Sequence, residues 1–349
     1  MQEIHVTMLG PAAVGKTSLL ATMYERFKEN VFEGGLRLHA DPKTTGLLNK
    51  RLRELSNLPF KLTTTNSGGI QSTPDHQDYA FQIGKSDDEY ALGVTFHDYP
   101  GSFIYDQPDF VREKLQESDA VLVAIDTPAL MEDGGKWPRL HKDHNNPHGV
   151  EDLFFNAYKN LDSERLVLFV PVRCERYVQN PFDAVALVSK VKQGYAGAFT
   201  ILGEASREKK VAVVIAPAQT VGSVVFSGIE DDKESELGHR FVFKPTGPDA
   251  AFEPADTEQP LRYLLRFMMS QHLEGQRRGG FFDSLIEAMY DDESEEERRE
   301  LKRGFWGSWL GELADTFMGR DSFRYALATF ANGSKDSTPF EIVQGKELL

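Results

Sequence analysis

The sequence predicts an α/β protein: a three-layer sandwich with a mainly parallel sheet, followed by a helical C-terminal extension. Three observations predict it. Apolar runs at 120–125, 166–170 and 211–215 have the all-apolar character of parallel strands covered on both faces. Segments with apolar residues three and four apart lie between them. The first strand-like run, 3–9, stops at a glycine loop that opens onto a helical pattern. Alternation of strand and helix continues to about residue 275, as a parallel α/β sheet requires.

Each element has its own signal. From Gly15 to about Asn30, Leu19, Leu20, Met23, Tyr24 and Phe27 form a helical stripe. Leu47, Leu48, Leu52 and Leu55 do the same over 43–58, and the Thr/Ser/Gly stretch 63–69 reads as a mobile loop. Residues 77–84 and 89–97 read as two strands around a polar turn. Helical patterns follow at 108–117, 150–161, 183–192 and 260–272. The segment 131–149, rich in Gly, Pro, Asn and His, reads as a loop, and 223–245 as a β-hairpin. Composition shifts after Gly275. The reading therefore divides the chain into a main domain, 1–275, and a helical extension, 276–349, whose last fifteen or so residues look like a loose tail.

Composition narrows the function. The chain has 349 residues, 40% hydrophobic and 27% charged, which is ample for a large core. A formal net charge of −15 argues against a surface built to hold nucleic acid or anionic lipid. One cysteine, Cys174, excludes an internal disulfide. No basic segment with a following apolar stretch opens the chain, and no apolar run reaches the ~18 residues of a membrane span. The expected location is cytoplasmic.

The chemistry lies in the glycine loop. Gly10-Pro11-Ala12-Ala13-Val14-Gly15-Lys16-Thr17 fits G-x-x-x-x-G-K-[ST] between a strand and a helix. Glycines let the backbone curl so that its N–H groups meet phosphate oxygens, and the helix offers its positive N-terminus to the same anion. Ala13, Val14, Gly15 and Ser18 belong to this cradle. Lys16 reaches the β- and γ-phosphates, and Thr17 holds Mg²⁺. One hairpin downstream, Asp98-Tyr99-Pro100-Gly101 ends a strand. An Asp there serves the same Mg²⁺, and the Gly101 N–H can meet a γ-phosphate.

With these motifs the chain resembles the TRAFAC-class, Ras-like P-loop GTPases. Its variant motifs and long inserts look most like the bacterial double-GTPase-type branch. The resemblance covers about 1–275 and implies GTP/GDP and Mg²⁺ as cofactors, slow GTP hydrolysis and a protein effector or activating partner. It places a base-specificity motif after the strand 166–170, where Val172-Arg173-Cys174-Glu175 stands. Glu175 takes the position of the base-reading Asp, Arg173 that of Lys, and Val172 departs from Asn. A carboxylate accepts from guanine N1–H and N2–H₂, which adenine cannot supply. The loop 216–222 takes the place of the segment whose backbone N–H meets guanine O6. Pro217 lacks an N–H, which leaves Ala218 or Gln219. The switch I Thr, a further Mg²⁺ ligand, falls at Thr73, with Thr65 second. Where the family has a water-positioning Gln after D-x-x-G, this chain has Ser102; Asp106 and Gln107 lie further along. Lys16, Ser102 and Gln107 are thus the candidate catalytic residues. The rival readings are a non-hydrolysing nucleotide-binding scaffold and an ATPase.

Two weaker signals complete the reading. His141, Asp143, His144 and His148 suggest zinc ligands, but turn composition favours a solvated loop. Phe305, Trp306, Trp309, Leu310, Leu313 and Phe317 form an apolar stripe that suits docking on the main domain better than a partner or a membrane. The acidic run before it disfavours a membrane.

Overall fold

The computed structural model describes residues 2–32, 37–64, 75–86, 89–206, 211–233, 238–273 and 341–349. In chain order these form β1 (Gln2–Leu9), α1 (Lys16–Phe32), β2 (Arg37–Ala40), α2 (Pro42–Ser56), α3 (Leu58–Thr64), β3 (Gln77–Ser86) and β4 (Glu89–Asp98). Next come α4 (Phe103–Asp106), α5 (Pro108–Glu117), β5 (Ala120–Asp126), α6 (Thr127–Met131), α7 (Leu140–Asn145), α8 (Pro147–Ala157) and β6 (Arg165–Val172). Then follow α9 (Pro181–Gly194), α10 (Ala196–Ser206), β7 (Val211–Ile215), β8 (Val224–Asp231), β9 (His239–Pro245), α11 (Gln259–Leu273) and β10 (Glu341–Gln344).

Among the described residues, one sheet runs β10-β7-β6-β5-β1-β4-β3-β2. Its centre, β4-β1-β5-β6-β7, is parallel throughout. The outer strands β10, β3 and β2 each pair antiparallel with their inner neighbour. Strands β5, β6 and β7 are buried at every residue, which is why their sequences are continuous apolar runs. Alternate side chains of β5 enter different cores. Ala120, Leu122 and Ala124 join one with Leu19 and Phe27 of α1 and Leu264 and Phe267 of α11. Val121, Val123 and Ile125 join the other with Leu115 of α5, Phe154 of α8 and Leu187 of α9. Two cores on the two faces of one sheet make the three-layer α/β sandwich that the sequence predicts.

Local chemistry sets the helix starts. Asp41 accepts from the N–H groups of Lys43 and Thr44 at 2.8 and 3.0 Å, and Asn180 accepts from those of Phe182 and Asp183, both at 3.0 Å. Prolines in the first turns of α2, α5, α8 and α9 follow the same logic, since an N–H there has no helical partner.

Three regions differ from the sequence reading. The loop expected over 131–149 contains α7 and the start of α8. Asn146, at φ 45°, turns the chain between them and caps α8 by accepting from Gly149 N–H at 3.1 Å. Helix α10 carries Gly197, Thr200 and Gly203, so its propensity is low. Burial of Ala198 and Leu202 in the second core holds it instead. Finally, 341–349 is not a loose tail. β10 adds to β7, Gln344 Nε2 donates to Leu202 O at 2.8 Å, and Leu348 and Leu349 are buried. The rest of the expected helical extension, 276–340 with its aromatic stripe, lies outside the described residues. Among those described, no helix is long and apolar enough to cross a membrane.

Candidate functional site

The glycine loop leaves the C-terminal end of β1 and enters α1 at Lys16. Its path needs its glycines. Gly10 sits at φ +143° and Gly15 at φ +113°, and a Cβ on Gly10 would stand 2.7 Å from the Ala124 carbonyl oxygen. Ala13 takes the left-handed region at φ 56°. The loop ends on a helix whose first turn has N–H groups with no helical acceptor, a ready anion site.

Side chains gather beneath it. Lys16 Nζ donates to Gly10 O at 3.4 Å and lies 3.8 Å from Asp98 Oδ1. Thr17 Oγ1 donates to Asp98 Oδ2 at 2.5 Å. Burial pulls the Lys16 ammonium down from its ordinary pKa, and the charge on Asp98 resists that pull. Burial likewise pushes the Asp98 carboxyl up, against Lys16 and the Thr17 hydroxyl. Asp98 Oδ1, though buried, has no hydrogen-bond partner. A carboxylate oxygen buried without a hydrogen bond, beside a hydroxyl on the next element, is a donor set that suits a divalent cation. Tyr79 of β3 lies beside Thr17; burial and then the Asp98 charge push its phenol up to about 12. The sequence reading missed Tyr79, whose strand position carries no motif.

The segment 98–101 closes on the loop. A Cβ at Gly101 would stand 2.2 Å from Ala12 N and 2.7 Å from Gly10 O, so only glycine lets the two backbones meet. Ser102 precedes α4 and Gln107 follows it, and both are exposed. Thr73 and Thr65 lie outside the described residues.

The ends of β6 and β7 bring Arg173, Glu175, Ala218 and Gln219 together. Arg173, at φ 57°, donates to Asp126 Oδ2 at 2.8 Å and to Ala13 O, tying this region to the glycine loop. Its guanidinium also lies 5.6 Å from the Phe243 ring centre. Asp126, which sequence reasoning passed over, ends β5 and caps α6 through Ala129 N–H at 3.2 Å. An Asp at the end of an apolar strand and ahead of a Pro was the available signal. Glu175 is buried, and its Oε1 accepts from the N–H groups of Val221 and Gly222 at 3.2 and 3.4 Å. Burial raises its carboxyl, opposed by those N–H groups and by Arg173. Cys174 is buried in the second core, which pushes its thiol well up and leaves it unsuited to act as a nucleophile.

One expectation is corrected here. Ala218 N–H donates to Pro171 O, and Gln219 N–H to Ala255 O, both at 2.9 Å. Ala218 extends the β6–β7 pairing past Pro217, and Gln219 pairs with Ala255. Neither N–H is therefore an open donor for a base oxygen. The four residues that the sequence reading weighed as zinc ligands and set aside do not converge. His141 is buried and bonds Gly194 O and Asn145, His144 meets His239 at 2.9 Å, and His148 meets Glu151 at 3.4 Å. Asp143 is 3.4 Å from Arg139.

No protein-family model and no curated protein matches the chain. Solved structures do. The signal recognition particle receptor SRb-GTP/SRX complex of Chaetomium thermophilum is 17% identical, over 64% of this chain and 93% of that one, with a TM-score of 0.36. The S. cerevisiae Ski7 GTPase-like domain bound to GTP is 12% identical with a TM-score of 0.36. The same domain bound to GDP and inorganic phosphate is 14% identical with a TM-score of 0.33. Each Ski7 match spans 62% of this chain and 43% of the other. Likeness at this distance assigns no activity. The described residues themselves have the fold: a glycine loop after the first strand of a mainly parallel sheet, with the other three motif segments at the C-terminal ends of β4, β6 and β7, as the resemblance to Ras-like P-loop GTPases implies.

Proposed function

We propose that this chain is a guanine-nucleotide switch that binds GTP with Mg²⁺ and hydrolyses it slowly. One observation carries the reading. Lys16, Thr17 and Asp98 converge under a glycine-shaped loop that Gly101 meets backbone to backbone. In this reading Lys16 leaves Gly10 O to pair with phosphate oxygens, and the α1 N-terminus faces the same charge. Thr17 and Asp98 hold the metal, with Thr73, or failing it Thr65, as the further ligand. When bound, Mg²⁺ supplies positive charge against the phosphate oxygens. Gly101 moves with the γ-phosphate, and its segment passes the change to α4 and a protein partner.

At the base end, Arg173 lies against the purine side of the loop and Glu175 reads the guanine edge. Release of Glu175 from Val221 and Gly222 is part of that step. Exposed Ser102 and Gln107 favour weak positioning of water. Unassisted hydrolysis is then expected near or below about 10⁻⁴ s⁻¹, and a partner that supplies an Arg should raise it by roughly 10³–10⁵. The same exposure favours the second reading, a nucleotide-bound scaffold with no turnover.

Calorimetry on nucleotide-stripped protein tests the proposal. GTP is expected to bind more tightly in the presence of Mg²⁺ and to outcompete ATP. Equal competition by ATP overturns the guanine reading. Single-turnover hydrolysis separates switch from scaffold.

A further inference from the structure

On the opposite face of β4 from Asp98 lies a second group of side chains that the nucleotide reading does not use. Asp78 and His97 are cross-strand partners in the β3–β4 pair, so they stand on one face. His76, two residues before Asp78, reaches the same place from the approach to β3. Asp78 Oδ1 lies 2.7 Å from His97 Nδ1 and 2.9 Å from His76 Nε2. The ligand atoms of all three residues lie within 4.8 Å of one another, and they are the one such group of His, Cys, Asp and Glu among the described residues.

We propose that His76, Asp78 and His97 bind a zinc-class divalent cation, with His5 as a positioning residue behind His97. The donor set is two imidazole nitrogens and one carboxylate oxygen, which suits zinc and leaves a fourth position for water. Bonds of about 2.0–2.1 Å in a tetrahedron place ligand atoms roughly 3.4 Å apart. The two spacings to Asp78 Oδ1, 2.7 and 2.9 Å, are shorter than that value and no pair of ligand atoms exceeds 4.8 Å, so small side-chain movements suffice.

Two further observations point to a cation. His76 Nε2 is shielded from solvent and makes no hydrogen bond, although Asp78 Oδ1 lies 2.9 Å away. A buried ring nitrogen that makes no hydrogen bond and stands beside a carboxylate oxygen is a group that a metal ion can satisfy. His97 is also held from behind. Its Nε2 lies 3.1 Å from His5 Nδ1, and the two rings stack at 5.3 Å with 11° between planes. The main chain of His5 is held in turn, since its backbone N–H donates to Asp119 Oδ2 at 3.0 Å. A partner on the far nitrogen fixes the tautomer and ring plane of a ligating histidine. Metal here clamps the entry to β3 onto β4, one residue from Asp98 but on the other face of the sheet. This proposal does not rest on the nucleotide reading.

The test is titration of the metal-free, tag-free protein with Co²⁺, whose visible absorption reports coordination. About one equivalent is expected to give a four-coordinate spectrum that Zn²⁺ abolishes. His76→Ala and Asp78→Asn should each weaken binding by more than about 100-fold, and His5→Gln by about 10-fold. Thr17→Ala, which alters the other candidate metal site, should leave the spectrum unchanged. No stoichiometric spectrum in the wild type would mean that the three residues are a hydrogen-bonded chain only, and the proposal fails. It fails equally if the spectrum survives both His76→Ala and Asp78→Asn, or is lost in Thr17→Ala. His76 lies outside the strands, and a circular dichroism spectrum and a metal-free thermal midpoint that match the wild type show that its variant has folded.

Discussion

At the end of β1, shape comes from backbone: glycines at φ values closed to other residues, a helix that begins at Lys16, and Gly101 pressed against Ala12. At the ends of β6 and β7, shape comes from side chains and amides already engaged with one another. Glu175 holds the N–H groups of Val221 and Gly222, while those of Ala218 and Gln219 are spent on Pro171 and Ala255. On the proposed nucleotide reading, the phosphate end receives a ligand by moving Lys16 off Gly10 O and turning the Thr17 hydroxyl from Asp98. On the same reading, the base end must exchange internal hydrogen bonds for ligand ones, which leaves less of the binding energy for affinity. Phosphate binding should therefore dominate affinity, and the base end should supply a modest preference.

Lys16→Ala should break the phosphate end most severely. It removes a charge-assisted contact, and GTP affinity measured by calorimetry should fall by about 100-fold with an unchanged circular dichroism spectrum. Unchanged affinity would remove the phosphate end from the comparison altogether. Gly101→Ala comes next. Its Cβ would meet backbone atoms of 11 and 12, which cannot swing aside as a side chain could. Thermal denaturation should show a loss of roughly 1–3 kcal/mol, and nucleotide affinity should drop about 10-fold as the two segments part.

Arg173→Ala tests the link between the ends. The side chain joins Asp126, on β5, to Ala13 in the loop. The ion pair is partly exposed on the Arg side, so its contribution to stability should be small. GTP affinity should fall by less than about 10-fold. A double-mutant cycle with Asp126→Asn should show non-additive losses, because the two residues act as one unit. Additive losses would mean that the ends are independent.

The legibility of the molecule follows the same division. Backbone demands leave residue-type signatures: G-x-x-x-x-G-K-T, the glycine of 98–101, and the apolar runs of β5, β6 and β7 were all readable. Contacts made by tertiary pairing leave none. Ala218 and Gln219 looked like donors because only the fold shows that β6 and 255 reach them first. Tyr79 is placed by strand register, which one sequence does not print, whereas Asp126 had a signal, the end of an apolar run just ahead of Pro128, that went unread. Helix α10 forms against weak local propensity because the second core covers it, and β10 is a four-residue strand that only its pairing with β7 defines.

Glu175→Gln sharpens the comparison with the smallest change. Burial raises the Glu175 carboxyl above its ordinary 4.5, with the N–H groups of Val221 and Gly222 opposing. The folded chain thus holds this proton more tightly than the unfolded one. The stability that goes with the protonated form is complete below pH 4.5 and is lost as pH rises through the higher folded value. Glutamine keeps an accepting oxygen for the two amides and does not titrate. Denaturant midpoints of wild type and variant, followed upward from about pH 4, should therefore diverge in favour of the variant. The charge that costs stability would be retained for recognition. In the variant, the preference for GTP over ATP should shrink by about 10-fold, since a neutral acceptor replaces a charged one and its N–H₂ opposes guanine donors. If the pH profile flattens while the preference stays, Glu175 is a structural tie between two loops, and the base must be read elsewhere.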